Sequence, residues 1–468
     1  MKPVLTPEEM GAVDAGAPEP ADVLVGRAGF AVAVAARRML GGCYGRRVVV
    51  VAGAGNNGAD GRVAAGHLRR FGATVAVVSP GDALPTSHLV VDAAFGTGLN
   101  RPYLPADPGS APVLAVDIPS GLSGLTGVGE SMTATRTVTF AAYKPGLLLG
   151  DGPVRSGVVR LEGIGLDALA AQSANTWLIE DSDLAQIPAR ARNAHKWNSA
   201  VAIVGGSPAM MGAPLMCAQA AMRAGAGYAL VGVPGATLGA LGAPGEQVWV
   251  TLDGDDWRRQ AGDAASRAKS IVVGPGLGES ATGKRRNEGP RSLVGEFLSA
   301  TAVPAVVDAD AIRALGSLEG VLVVARARKA AMILTPHDGE YTRLTGHPPG
   351  EDRVGEARDA ARRSGSIVLL KGSTTVVAAP DGRVAMCNAG TASLATAGSG
   401  DVLSGIIGAF LARGTDAWTA ASLAAHVHGL AARSGPVEGL VASDLPRLVS
   451  EQLSEYLPQL RSHLPESR

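Results

Sequence analysis

Asn388-Ala389-Gly390-Thr391-Ala392-Ser393-Leu394-Ala395-Thr396-Ala397-Gly398-Ser399-Gly400-Asp401 runs directly into Val402-Leu403-Ser404-Gly405-Ile406-Ile407-Gly408-Ala409-Phe410-Leu411. Small residues and glycines precede an apolar segment that reads as a helix. Such a turn gathers free N–H groups and the positive end of a helix dipole at one point, an anion hole. Asp401 stands at its lip, where a carboxylate can take the proton of an alcohol being phosphorylated. An ordinary helix start with Asp401 as a first-turn acid fits the same residues. The rest of the chain has to decide between the two.

Upstream of this run, short apolar strands alternate with helix-length segments: Ser199–Val204, Ser270–Val273, Pro304–Asp308, Ala331–Thr335 and Ile367–Lys371. Apolar helices near 402–413 and 417–433 are expected to close this half. A separate series precedes it, with strands at Arg47–Ala52, Thr74–Val78, Leu89–Asp92 and Val113–Asp117. Strands separated by helical segments argue an α/β fold with parallel sheets, doubly wound in the first half. The pattern breaks around 166–192, read as a linker. The expected domains are 1–172 and 173–468, with no internal repeat joining them.

Composition agrees. The 468 residues are 46% hydrophobic but only 4% aromatic, which suits small aliphatic packing between parallel strands and helices. Formal net charge is zero, so nothing favours nucleic acid or an anionic membrane. Cys43, Cys217 and Cys387 are odd in number and outside metal-ligand spacing, and read as reduced core thiols. Met1–Glu9 has acids and prolines where a signal peptide needs an apolar stretch, and no run reaches a membrane span. A soluble cytoplasmic protein is expected.

In the first half, Gly53-Ala54-Gly55-Asn56-Asn57-Gly58 fits the dinucleotide fingerprint between a strand and a helix. The next strand, however, runs into Ser79-Pro80 rather than the acid that would hold a ribose. Asn56, Asn57 and Asp60 instead offer neutral and anionic oxygens to a hard monovalent cation or a ribose. Asp92, the Phe95–Pro102 loop and Asp117–Gly121 end consecutive strands and should converge on one crevice. Singly, Asp92 and Asp117 read as helix caps; together they favour a site.

These stretches resemble the amino-terminal domain of the NAD(P)H-hydrate epimerases, and Thr139–Gly146 resembles that family's closing strand and loop. The resemblance implies substrate binding by Asn56, Asn57, Gly58, Ala59 and Asp60 and by Gly96, Thr97, Gly98, Leu99, Asn100, Arg101 and Pro102. It makes Asp117 the proton-transfer group beside the inverted carbon, also in contact with substrate, and makes Asn57, Asp92 and Ser120 ligands of K+. Ala59 departs from the family's glycine, and its methyl would tilt the loop if that position needs φ > 0.

In the second half, Gly274-Pro275-Gly276-Leu277-Gly278, Val307–Ala311, Thr335-Pro336-His337, Lys371-Gly372-Ser373 and Gly398–Asp401 form an ordered set. It resembles the NAD(P)H-hydrate dehydratases, a branch of the ribokinase-like fold. The resemblance implies contacts to the hydrated dinucleotide from Ala213, Gly276, His337 and Asp401. It implies adenine-nucleotide binding by Lys371, Gly372, Ser373, Thr374, Thr375 and Gly400, with ADP as co-substrate and Mg2+ at its phosphates. Asp401 would be the catalytic base. His195–Ala200 departs from the family pattern at Trp197 and Ala200 and is given no role. Gly278–Lys284 matches most of a Walker A loop, but Arg285 follows and no apolar helix does, so it is rejected.

Together the resemblances imply repair of hydrated NADH and NADPH: epimerisation in the first domain, nucleotide-driven dehydration in the second. Assembly into homo-oligomers is compatible with them. A ribokinase-like small-molecule kinase carrying a non-catalytic scaffold domain is the alternative.

Overall fold

The computed structural model describes residues 1–99, 101–207, 210–236, 245–252, 257–278 and 289–461. Two compact units divide it at Leu178/Ile179, with Met1 grouped with the second. The stretch read as a linker is not bare chain. It holds a helix at Asp167–Ser173 and a strand at Thr176–Leu178 in the first unit, then a 3-10 turn at Asp181–Gln186 in the second. Its short polar elements lack the periodicity by which longer elements are recognised.

The first unit contains β1 (Lys2–Val4), β2 (Arg47–Ala52), β3 (Thr74–Val78), β4 (Leu89–Ala93), β5 (Val113–Val116), β6 (Arg136–Phe140), β7 (Val158–Glu162) and β8 (Thr176–Leu178). β2 to β7 form one sheet in the order β3-β2-β4-β5-β6-β7, every pair parallel. β1 and β8 pair antiparallel. Alternation along the strands sorts their side chains between two cores. Val48, Val50, Leu89, Val91 and Leu114 pack with Val32, Ala33 and Ala36 of helix Ala21–Leu40 and Ala64, Ala65 and Leu68 of helix Asn56–Arg70. Val49, Val51, Val90 and Ala115 face a smaller core completed by Phe95, Tyr103 and Met132.

The second unit contains β9 (Ala200–Val204), β10 (Tyr228–Pro234), β11 (Val248–Leu252), β12 (Ser270–Val273), β13 (Ala305–Val307), β14 (Met332–Leu334), β15 (Ile367–Leu370), β16 (Thr375–Ala378) and β17 (Val384–Cys387). Their order is β17-β16-β15-β14-β13-β12-β9-β10-β11. The sheet is parallel from β15 to β11, and β15, β16 and β17 form an antiparallel meander. Helices Ser399–Ala412 and Ala417–Ser434 lie where the apolar runs placed them, but a third, Leu445–Arg461, follows them.

Helix Ser399–Ala412 carries Gly405 and Gly408 in its interior despite their weak helix propensity. A Cβ on Gly405 would sit 2.1 Å from the carbonyl oxygen of Cys217, and one on Gly408 would sit 2.7 Å from Val272. The helix therefore seats its backbone directly on helix Gly212–Arg223 and on β12, which fixes where its N-terminus points. Cys43, Cys217 and Cys387 are free and buried. Among the described residues, no helix is long and apolar enough to cross a membrane. Of the rejected Walker-like run, residues 279–284 lie outside the described residues.

Candidate functional site

Each unit brings its marked residues to the C-terminal ends of its parallel strands. In the first, Gly53 and Gly58 let the turn after β2 close. A Cβ on Gly53 would lie 1.9 Å from the Ala94 carbonyl oxygen, and one on Gly58 would lie 1.8 Å from that of Gly53. Helix Asn56–Arg70 starts here, so Asn56 to Asp60 form its opening turns. Ala59 sits inside that helix, its N–H donating to the Gly55 carbonyl at 3.0 Å, and is not among the residues with positive φ. The family's glycine is therefore not needed at this position, and the methyl causes no tilt.

A cavity of about 680 Å³ opens above these strand ends. Asn56, Asn57, Asp60, Gly96, Thr97, Gly98, Leu99, Arg101 and Asp117 line it, as the sequence reading placed them. Gly58, Ala59 and Pro102 are not on its wall, and Asn100 lies outside the described residues. Asp117 follows β5 in the left-handed region, φ 66°, a conformation that Asp tolerates better than most residues. Its N–H donates to Val138 at 2.7 Å. Its Oδ1 accepts from Thr139 Oγ1 at 3.1 Å and from Lys144 Nζ. Lys144 is buried and also donates to Thr139 Oγ1 and to the Phe140 carbonyl.

Among the cavity residues missed from the sequence, Lys144 and Asp14 bear most on its acids. Lys144 lay within a quoted motif but was given no role, since nothing local shows its amine folding back to Asp117. Asp14 had a readable signal. Thr6 and Glu9 form a capping box, with the Thr6 N–H donating to Glu9 Oε2 at 2.8 Å and the Glu9 N–H to Thr6 Oγ1 at 3.2 Å. That box starts helix Pro7–Ala15, whose last turn carries Asp14 to the cavity. Burial raises the Asp14 carboxyl, opposed by Lys144 and reinforced by Asp117. Asp60, buried and next to both acids, is pushed up to about 8, chiefly by burial and then by the charges of Asp117 and Asp14.

Asp92 and Ser120 lie behind this wall. Asp92 accepts from the Ser120 N–H at 2.9 Å and the Ser120 hydroxyl at 2.6 Å. Burial raises its carboxyl and the Ser120 hydrogen bonds oppose the rise. No lysine or arginine pairs with it among the described residues, and Asn57 Nδ2 is buried without a partner. A buried carboxylate among neutral oxygens fits a hard monovalent cation such as K+.

In the second unit, Gly398 (φ 92°) turns the chain into helix Ser399–Ala412 with no side-chain cap; the Ser399 N–H donates to the Thr396 carbonyl at 3.3 Å, and the N–H groups of Gly400 and Asp401 that follow suit an anion. A Cβ on Gly400 would lie 3.3 Å from Lys371 Nζ, so that amine stands at the same helix end. Lys371 is bound to Asp308 at 2.8 Å. Asp308 also accepts from Thr335 Oγ1 and Ser404 Oγ, each at 2.7 Å. Although burial raises it, the Lys371 charge and these donors hold Asp308 below the ordinary carboxylate value. Asp401 has no such cluster of donors. Burial and the Asp308 charge push it up to about 6, against the pull of Lys371.

Gly276 (φ 61°) and Ala213 meet, since a Cβ on Gly276 would be 3.0 Å from that of Ala213. His337 caps helix Asp338–Thr345, its Nδ1 accepting from the Gly339 N–H at 3.0 Å, and its ring stays exposed. Lys371–Thr375 joins β15 to β16. Gly372 and Ser373 are exposed, while Thr374 is buried. Among the described residues, no three His, Cys, Asp or Glu side chains gather to hold a metal.

Comparison with known proteins follows this division. The model of the NAD(P)H-hydrate dehydratase family matches residues 201–455. That of the YjeF-related protein N-terminus matches residues 21–85 and 78–146. The bifunctional NAD(P)H-hydrate repair enzyme of Salinibacter ruber is 35% identical over 535 residues, covering 97% of each chain. That of Mycobacterium leprae is 36% identical, covering 92% of this chain and 94% of its own. A solved ribokinase-like superfamily protein from Enterococcus faecalis matches in fold, with a TM-score of 0.50 and 22% identity, over 60% of this chain and 96% of that one. The kinase-with-scaffold alternative finds no support among these relatives. The chain belongs to the family of bifunctional NAD(P)H-hydrate repair enzymes.

Proposed function

We propose that this chain restores hydrated NADH and NADPH, its first domain (1–172) interconverting the R and S hydrates and its second (173–468) dehydrating the S form while ADP becomes AMP and phosphate. The observation that carries this reading is that each unit holds its own acid at its own strand-end site: Asp117 in the first-unit cavity, Asp401 at an uncapped helix start.

In the second domain the substrate hydroxyl is a poor leaving group on the carbon next to the ring nitrogen. Asp401 accepts its proton as the oxygen attacks the terminal phosphorus of ADP, and AMP departs. The open N–H groups after Gly398 and the amine of Lys371 stabilise charge on the transferred group. The nitrogen lone pair then expels phosphate to give a C=N bond, and loss of a proton from the adjacent ring carbon to solvent restores the ring double bond and the lone pair. Ala213, Gly276 and His337 hold the dinucleotide, while Lys371–Thr375 and Gly400 hold the adenine nucleotide. Mg2+ would come with the nucleotide, ligated by phosphate oxygens and water, and would neutralise their charge.

In the first domain the loops Asn56–Asp60 and Gly96–Pro102 hold the substrate beside Asp117, the proton-transfer group. K+ on Asn57, Asp92 and Ser120 would balance the buried carboxylate and steady the adjoining loop. We place the enzyme in the cytoplasm, a compartment in which its three free thiols stay reduced. Its partners are the hydrated dinucleotides and ADP, with neither nucleic acid nor membrane, and homo-oligomers are compatible with this role.

The test mixes purified protein with both epimers of hydrated NADH, Mg2+, K+ and ADP, with ATP in a parallel cell. Recovery of reduced-nicotinamide absorbance is followed. Recovery of the whole pool with ADP is the expected result. A stall after one epimer is consumed would remove the first activity, and no recovery with either nucleotide would remove both.

A further inference from the structure

Epimerising a carbon that carries hydroxyl beside a ring nitrogen needs two proton transfers. One proton helps the hydroxyl leave and another is lost by the water that returns on the second face. A single carboxylate already bound to a lysine supplies only the second. We infer that Asp60 is the catalytic acid of the epimerisation, giving its proton to the departing hydroxyl while Asp117 takes the proton of the returning water. This rests on the epimerase reading of the first domain.

Placement carries the assignment. Asp60 lies in the opening turns of the helix after β2, and Asp117 follows β5. β4 separates these strands in the sheet, and the loop and helix that leave them bring the two acids to one cavity. Both side chains line the same cavity, yet their surroundings differ. Asp117 is an ion pair with Lys144. Asp60 is 8% exposed, and among the described residues no side-chain hydrogen bond to its carboxyl is seen. The charged groups on the cavity wall are Asp14, Glu19, Asp60, Arg101, Asp117 and Lys144. The acids nearest Asp60, Asp117 and Asp14, both disfavour its ionisation, and with burial they keep it protonated up to about pH 8. A buried carboxyl that keeps its proton, facing an ion-paired one across a cavity, is suited to the acid role.

The step balances. The ring-nitrogen lone pair forms the C=N bond as the C–O bond breaks, and the hydroxyl leaves as water with the Asp60 proton. A water then adds to the other face, restoring the nitrogen lone pair and passing its proton to Asp117. One proton has moved from Asp60 to Asp117, and exchange with solvent resets the pair. Every inversion therefore exchanges the hydroxyl oxygen with a water oxygen unless the departing molecule itself returns.

The experiment uses the full chain with one purified hydrate epimer, follows the epimer ratio by chromatography, and runs parallel reactions in 18O-water. Asp60→Asn is expected to lower the epimerisation kcat on the order of 100- to 10,000-fold, a loss larger than any change in KM. Wild-type kcat/KM should fall tenfold per pH unit above about pH 8, as Asp60 loses its proton, and the variant should lack that limb. Wild-type inversion should also place solvent oxygen on the inverted carbon. A variant at the wild-type rate with the limb retained would overturn the role. So would a wild-type profile flat through pH 10, or inversion without 18O uptake, and these two need no variant. A wild-type protein that leaves the ratio at its uncatalysed rate would remove the epimerase reading itself.

Discussion

Asp117 and Asp401 are both acids just past a glycine-rich or strand-end turn, and each has a lysine in its site, yet the lysines are used differently. Lys144 bonds directly to Asp117. Lys371 is given to Asp308, which also draws in Thr335 and Ser404. Asp401 is left with burial and a neighbouring negative charge, and sits at about 6. The same residue types thus produce an ion-paired carboxylate in one domain and a group poised near neutrality in the other. A base that must lose its proton again in every turnover is served by the second arrangement.

The contrast breaks most sharply at Asp401. Asp401→Asn should reduce dehydration on the order of 1,000-fold while ADP still binds, as read by steady-state rates and calorimetry. Loss of ADP binding without a separate loss of kcat would make Asp401 structural. Next in size is Lys144→Met, which strands the Asp117 carboxylate against Thr139 alone. Breaking a largely buried pair costs about 3 kcal/mol, so denaturant unfolding of the first domain should shift by that amount and epimerisation should slow. An unchanged unfolding midpoint would mean that the pair contributes little.

A pH series sharpens the comparison further. As the proposed base, Asp401 would act only when ionised, so dehydration should decline as pH falls through about 6. Asp308→Asn removes the negative charge that hinders this ionisation and frees Lys371 to favour it. The acid limb should therefore move to lower pH, and a limb that stays or rises would refute the coupling. The smallest effect concerns Ala59. Because this residue is helical, Ala59→Gly should destabilise the first domain by about 1 kcal/mol and lower its melting temperature by a few degrees. Stabilisation would restore the view that glycine is required there.

Much of this was legible locally. Arg47–Ala52 and Thr74–Val78 were bounded as they fold, because continuous β-branched runs between glycine turns have one good solution in a parallel sheet. The order of the glycine motifs identified both domains, and strand ends in a parallel sheet gather their loops without further instruction. The meander at β16 and β17, the helix Leu445–Arg461 and the short elements at 167–186 were not read. Brief polar or mixed segments carry too little periodicity to declare themselves.

Sequence by itself determined the α/β class, the two-domain order, the glycine turn into the helix at Asp401 and part of the first cavity's wall, since these depend on residue types at fixed local spacing. Only the tertiary structure decided the state of the acids. Lys144 reaches Asp117 from 27 residues away, Lys371 reaches Asp308 across 63, and Asp60 is buried beside two acids from other elements. Proton affinity depends on the sum of nearby charges and on exclusion of water, and chain folding alone sets both.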